Sequence, residues 1–338
     1  MKELWRLLWP WRMLITLAGL FRGVRISPSA LLKGPRSRIQ LARGTSIGPR
    51  TRISTGPAGK ISTGRRVWLS SDIEIETDTE VCIGARTTIQ RRCTVIGSTY
   101  IGADCILAPD VFISSGTHPF RHQPHQPIRE QERQIISSGD LQGLLDRPVW
   151  IQDDCWLGVH AVINPGVTVG KGSVVGANAV VTHDVKPYSV VAGSPARVIN
   201  LRLAWTPPQS IDLRDETAWI YVLSGTAARN ALGALQGAQL DSRAGLHIAL
   251  RMPTGPAQVK ICFEATTASL WTVNGVTVTL APSMGSIELS VDHQSAAFGA
   301  FAVHMHSIGA PESGIEIVFT SMQVFALEEH PPEPCNEG

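Results

Sequence analysis

From residue 83 onward, aliphatic side chains return at every sixth position: Ile83, Ile89, Val95, Ile101, Leu107 and Ile113. The spacing resumes at Ile151, Leu157, Ile163, Val169, Val175 and Val181. Four residues after each stands a small or β-branched residue: Thr87, Cys93, Thr99, Cys105, Val111 and Thr117, then Cys155, Ala161, Val167, Ser173, Ala179 and Val185. Looser repeats precede these at Leu41, Ile47 and Ile53, and again at Ile61, Val67 and Ile73. A period of six is foreign both to the 3.6-residue helix and to the two-residue alternation of a strand. It suits a triangular prism in which each hexapeptide is one short strand and one turn, and three close a coil of about 18 residues. Aliphatic residues then point to the axis and small residues fill the tight corners. Coils stacked at ~4.8 Å pair their backbone groups with the coils above and below. Glycine follows the aliphatic at Gly48, Gly84, Gly102, Gly158, Gly170 and Gly176, where close approach of coils is expected.

Composition agrees. The 338 residues are 43% hydrophobic and 17% charged, which argues against wholesale disorder. The 31 glycines and 22 prolines follow no collagen period and suit many turns. With 30 basic and 28 acidic residues the net charge is +2, so nucleic acid is not expected as a partner, although local basic patches remain open. The six cysteines form no C-x-x-C pair, and four sit at positions that read as interior. Buried free thiols belong to a reducing compartment, and no cleavable leader is evident, so a cytoplasmic location is expected. The longest apolar stretch near the start, Met13 to Phe21, is far short of the ~20 residues that span a bilayer.

Residues 1–25 read as an amphipathic helix. Leu4, Leu7, Leu8 and Trp11 form an i, i+3, i+4, i+7 stripe, among Trp5, Trp9 and the cations Lys2, Arg6, Arg12, Arg22 and Arg25. Two roles stay open: a cap on the end of the prism, or peripheral membrane contact, for which indoles beside cations are suited.

The repeats, and above all CWLGVHAVINPGVTVGKGSVVGANAVVTHDVKPYSVVAGSPARVI from Cys155 to Ile199, resemble the hexapeptide-repeat acyltransferases of the galactoside and maltose O-acetyltransferase branch. The resemblance covers roughly residues 37–200. It implies a left-handed parallel β-helix, although a right-handed crossover is the general rule. It also implies acetyl-CoA as acyl-donor cosubstrate and a homotrimer with donor grooves between neighbouring prisms.

The repeat breaks once, between His118 and Val149, in a loop over 119–148 rich in His, Arg and Pro. A long segment without secondary structure inside a repeat is usually functional. In the resembling family a histidine at this spot, followed by proline and a long loop, is the general base, which makes His118 the catalytic candidate. A sugar hydroxyl needs a neutral imidazole to take its proton before it attacks a thioester. His122 and His125 in the loop either touch the acceptor or are solvated, and His160 is expected to point outward. A zinc site from His118, His122 and His160 is disfavoured, so no metal is expected. The resemblance places Gly158, Val159 and Ala177 along the pantetheine arm, and Thr182, His183 and Arg197 near the phosphates and adenine. His183 stands where the family often has lysine. Trp156 matches an indole at the site's mouth, and Asp110 and Arg121 join it as candidate acceptor contacts. Asp110 replaces a polar residue of the family, which leaves the acceptor's identity open.

After Trp205, Pro207, Pro208 and QSIDLRDE read as a linker. The segments AWIYVL, LHIALRM, QVKICFEA, SLWTVNGVTVTL, SIELSV, FGAFAVHMH and GIEIVFTSMQVFAL alternate like strands, and Asn274-Gly275 suits a hairpin. An antiparallel, jelly-roll-like β-sandwich is expected over 206–330, with a disordered tail at 331–338. Trp219 or Trp271 there could stack on a sugar, and His304 and His306 read as structural. The whole is an all-β chain with a short N-terminal helix, its β-helix domain spanning 26–205. The function expected is O-acetylation of a carbohydrate in bacterial surface polysaccharide biosynthesis. Competing readings are N-acetylation of an amino sugar nucleotide and a non-catalytic glycan-binding scaffold.

Overall fold

A computed structural model of the protein describes residues 16, 19–21, 23–138, 146–204, 206–213 and 215–224, and beyond them 238–239, 246–251, 257–265, 269–273, 276–280, 284–291, 296–297, 300–307 and 317–326. Most of the expected N-terminal helix, the tip of the 119–148 loop, the Asn274-Gly275 turn and the tail 331–338 lie outside these residues, as do the side chains of Trp219, Trp271, His304 and His306. The chain divides into two compact units, Met1–Trp205 and Thr206–Gly338.

The first unit is a parallel β-solenoid with three faces. The first face begins at Arg25–Ile26 and runs through Ser46–Ile47, Trp68–Leu69, Thr88–Ile89, Ile106–Leu107, Trp156–Leu157 and Val174–Val175 to Ser189–Gly193. The second runs from Leu31–Lys33 to Val180–Val181, and the third from Ile39–Leu41 to Thr168–Val169. An antiparallel strand, Ala196–Leu201, closes the first face. The expected inward residues are the core: Leu107, Ile113, Leu157 and Ile163 are fully buried, each contributing about 1.5–3 kcal/mol from burial. Cys93, Cys105 and Cys155 are buried in the corner positions, while Cys82 is half-buried on the outer side of its strand. Gly158 is held by its neighbour, since a Cβ there would stand 2.6 Å from the amide nitrogen of Ala177 one coil on.

The register corrects one set of repeats. Thr63 pairs with Ile83, Leu69 with Ile89 and Ile75 with Val95, so Thr63, Leu69 and Ile75 hold the aliphatic column. Ile61, Val67 and Ile73 are buried two residues earlier, in the column of small residues. The slip arises because the step from the second face to the third is irregular. It is ten residues from Ile53 to Thr63, eight from Ile75 to Ile83 and six from Val95 to Ile101, then thirty-eight from Ile113 to Ile151. The other two steps are six residues in every coil from Leu41 to Val181.

The first edge, between first and second faces, carries Arg50, Asp72, Arg92, Asp110, His160 and Asn178, all at φ between 56° and 63°. Their side chains form a ladder from coil to coil: Arg50 binds Asp72 at 2.5 and 2.7 Å, and Arg92 binds Asp110 through two contacts of 2.6 Å.

The second unit contains two antiparallel sheets. One joins Ser210–Asp212, Ile317–Ala326, Ala257–Ala265 and Met284–Val291, with Ala238–Gln239 at Ile317–Ala326. The other joins Val222–Ser224, Leu246–Leu250, Ala300–Ser307, Ser269–Val273 and Val276–Leu280, with Ala296–Ala297 at Ala300–Ser307. Two expectations change. Part of the presumed linker is a strand, because Ile211 and Leu213 are buried on either side of Asp212. AWIYVL is not one strand: Glu216–Tyr221 is a 3-10 helix and only Val222–Ser224 is extended.

Candidate functional site

The second edge, where the steps are irregular, is also where His118 stands. The strand Phe112–Ser114 delivers Ser115 to a buried corner, and the chain then leaves the prism. It returns at Asp146, which bridges Gly116. Asp146 accepts hydrogen bonds from the hydroxyls of Ser98 and Ser115, and the Arg147 N–H donates to the Ser115 carbonyl at 2.9 Å. Ser115 Oγ also accepts from the Ser98 N–H at 2.7 Å. Both ends of the loop are thus clamped at one point.

The loop is not structureless. It contains a helix, α1, over Ile128–Ser138. Pro127 opens it, with its carbonyl accepting from the N–H groups of Glu130 at 2.9 Å and Gln131 at 3.1 Å. Ile135 and Gln131 are its buried residues, and Gln131 ties the preceding chain down by accepting from Gln123 N–H and donating to the Gln126 carbonyl, both at 2.9 Å. The hydroxyls of Ser137 and Ser138 donate to the Gln134 and Ile135 carbonyls, filling two of the helix's last acceptors.

Helix α1 presents Glu132 to His118. Glu132 Oε1 lies 3.5 Å from His118 Nδ1, an ion-pair distance rather than a closed hydrogen bond, and the histidine side chain is 70% exposed. A carboxylate on Nδ1 favours the tautomer with the proton there, which leaves Nε2 as an acceptor. Spacing did not reveal Glu132, although Pro127 and the helix-forming run IREQERQII were a usable signal.

The other candidates are spread over the prism. Val159 and Ala177 are exposed on the first edge, one coil apart, and among the described residues neither N–H donates to a protein acceptor. Each can meet a ligand carbonyl. Gly158 beside them is buried. His160 and Asp110 share this edge, with His160 Nε2 3.5 Å from Asp110. The Arg92 guanidinium holds the Asp110 carboxyl below the usual range, so Asp110 is already engaged in the ladder. Thr182 and His183 follow the strand Val180–Val181 on the second edge, and Thr182 Oγ1 meets His183 Nδ1 at 2.8 Å. Exposed Arg197 lies on Ala196–Leu201. Trp156 points outward from the first face, 52% exposed, between Ile106 and Val174. His122 and His125 are exposed in the loop, and exposed Arg121 lies with its guanidinium 5.1 Å from the Phe120 ring centre. Among the described residues no three His, Cys, Asp or Glu gather as a metal site.

The structure therefore brings His118 and Glu132 together on the second edge. It keeps Val159, Ala177, Asp110 and His160 on the first, with the second face between them.

One buried pair went unnoticed in the sequence. Asp153 and Lys171 are both buried, at third-edge positions that otherwise read as ordinary turn residues. Asp153 Oδ1 accepts the Ala103 N–H at 2.8 Å, while Oδ2 has no hydrogen-bond partner. Burial pushes the carboxyl up, and Lys171 pulls it back.

A solenoid of hexapeptide coils, opened at one edge to present a histidine on a clamped loop, is the class that fold and site define. Residues 148–183 match the family model described as bacterial transferase hexapeptide (six repeats). The chain is 31% identical to the galactoside O-acetyltransferase of Escherichia coli over 138 residues, 40% of this chain and 61% of the relative. It is 38% identical to a chloramphenicol acetyltransferase of Agrobacterium fabrum over 104 residues, 30% and 44% of the two chains. A solved structure of the polySia-specific acetyltransferase NeuO aligns over 54% of this chain and 72% of its own at 21% identity, with a TM-score of 0.38. The chain thus spans less than two thirds of the galactoside O-acetyltransferase and less than half of the chloramphenicol acetyltransferase.

Proposed function

We propose that this protein transfers an acetyl group from acetyl-CoA to a carbohydrate hydroxyl, with His118 as general base, in the biosynthesis of a surface polysaccharide at the cytoplasmic side of the membrane. The observation that carries this reading is the exposed imidazole with Glu132 at Nδ1 and, among the described residues, no partner at Nε2. The likeness to galactoside O-acetyltransferase supports the acetyl group and the sugar class.

His118 Nε2 takes the hydroxyl proton as the oxygen attacks the thioester carbonyl. The O–C bond forms, the C–S bond breaks, and the proton passes to the departing thiolate, giving an acetyl ester and free CoA. Val159 and Ala177 N–H groups hold carbonyls of the pantetheine arm, with Gly158 allowing the coils to approach. Thr182, His183 and Arg197 take the phosphate end, and Trp156, Asp110 and Arg121 face the acceptor.

The split between edges supports a cyclic homotrimer, in which the first edge of one prism lies beside the loop of the next. The outer column of the first face suits this, since Trp68, Ile106 and Trp156 are large, apolar and exposed. Residues 1–25 make a peripheral membrane contact, and residues 206–330 form a sandwich that holds the acceptor glycan or reinforces the trimer.

The test is thiol release from acetyl-CoA with a panel of soluble glycosides and amino sugars. His118→Ala should lower turnover ~10²–10⁴-fold while CoA still binds. Full activity in that variant removes His118 from the mechanism. A product that resists alkaline hydroxylamine, which cleaves oxygen esters and spares amides, is an amide and would replace O- by N-acetylation.

A further inference from the structure

No aspartate or glutamate occurs between Glu3 and Asp72, while that stretch holds thirteen lysines and arginines. Residues 4–71 therefore carry +13, and residues 72–338 carry −11. The near-neutral total conceals a strongly polar molecule.

The fold gathers this charge at one end of the solenoid. A coil's cations find carboxylates only on neighbouring coils, and the first coils have acidic neighbours on one side alone. Arg50, Arg52 and Lys60 are engaged by Asp72, Glu74 and Glu80 of the following coil. Arg25, Lys33, Arg36, Arg43, Arg65 and Arg66 are exposed, and among the described residues none of them has a carboxylate within 4 Å. They occupy different sides of the first two coils: Arg25 on the first face, Lys33 and Arg36 at the end of the first strand of the second, and Arg43, Arg65 and Arg66 at the third edge. That is a ring around an end rather than a groove along a side.

Two large apolar residues stand at the same end. Phe21 is 93% exposed and Leu20 52% exposed, and both adjoin the first coil, since the Gly23 N–H donates to the Leu20 carbonyl at 2.9 Å. A soluble polyanion has no use for an exposed phenyl ring, whereas a bilayer offers phosphates at its surface and hydrocarbon beneath.

We propose that this end of the prism docks on an anionic lipid bilayer, with the ring of cations on the headgroups and Leu20 and Phe21 among the acyl chains. The proposal rests on the reading of residues 1–25 as a membrane contact, and adds to it the coils at 25–66 and a requirement for lipid charge.

The test is co-sedimentation of the full chain with vesicles of phosphatidylcholine alone or mixed with phosphatidylglycerol, in low and high salt. Binding is expected only to the mixed vesicles and should fall as salt screens the contact. K33E, R36E and R65E combined should weaken binding by about 100-fold or more, with turnover on a soluble acceptor unchanged. Phe21→Ser should weaken it by about 10-fold, counting the buried ring alone. Equal binding to both vesicles overturns the requirement for charge. Wild-type binding by the triple variant, with loss in a Trp5, Trp9 and Trp11 to Ser variant, overturns the proposal but leaves the contact at 1–25 standing. Absence of binding to either vesicle overturns both. Capture of polyphosphate with no response to Phe21→Ser assigns the ring to a soluble polymer instead.

Discussion

A carboxylate 3.5 Å from an imidazole nitrogen is too far for a closed hydrogen bond but near enough to orient the ring. In the proposed mechanism Glu132 acts through His118 rather than on the substrate, as a positioning residue. Glu132→Gln is expected to lower kcat by about 10-fold with the acetyl-CoA KM unchanged. Glu132→Asp should fall between the two enzymes. A purely structural role would instead lower thermal stability and leave the kcat of the folded fraction intact. The thiols give a second prediction at this scale. Burial pushes Cys93 up to about 11 and Cys105 well above its ordinary value, so neither supplies thiolate at neutral pH. Iodoacetamide on the native protein should spare both and label them only after unfolding, as read by peptide mass spectrometry. His118 stood out as a candidate because SSGTHPF interrupts a pattern and the resembling family carries a histidine there. Glu132 did not, because its pairing depends on how a helix folds back over the loop.

Helix α1 and the clamp at Asp146 determine where that loop begins and ends. Asp146→Ala leaves the buried Ser115 hydroxyl without its acceptor, while the Ser98 hydroxyl keeps Thr79 Oγ1 at 2.6 Å, and should cost about 1–3 kcal/mol. The thermal midpoint should fall, and kcat should drop with it as the corner holding His118 loosens. Lys171→Met removes the cation that pulls the buried Asp153 carboxyl back down, so the carboxyl takes up a proton in the folded state and stability should fall as pH rises above neutral. Denaturant unfolding measures it. Coils of 18 residues were readable from spacing alone, and the first coils were not, because extra residues at Gly56–Gly59 and Asp78–Thr79 shift the frame while burial remains apolar. Asp153 and Lys171 were hidden for the opposite reason, since charged residues in the interior contradict the pattern used to locate it.

For the whole molecule the central question is assembly. Light scattering should give three times the monomer mass, and a monomer that retains activity would contradict the proposed site between prisms. Removing the second unit tests its role, provided the cut respects the first. Arg202 belongs to the prism: its N–H donates to the Tyr188 carbonyl at 2.7 Å and its guanidinium binds Asp154 at 2.9 Å. Truncation after Trp205 should therefore keep activity toward a small soluble acceptor. Activity toward a polymeric or lipid-linked acceptor should fall if the second unit holds glycan. Loss of both, together with CoA binding, would make that unit part of the catalytic core.

The uneven step at the second edge means that the solenoid has something like a reading frame. A residue inserted within a face shifts the side chains that follow it out of their columns, as a frameshift alters the codons after it, until an edge takes up the difference. Four extra residues at the second edge, or two, or thirty-two, return the chain to phase within the same coil. Among the described coils from Leu41 to Val181, that seam is where the step length varies, and the loop bearing His118 lies on it. A change of length there leaves the columns of the following coils in phase.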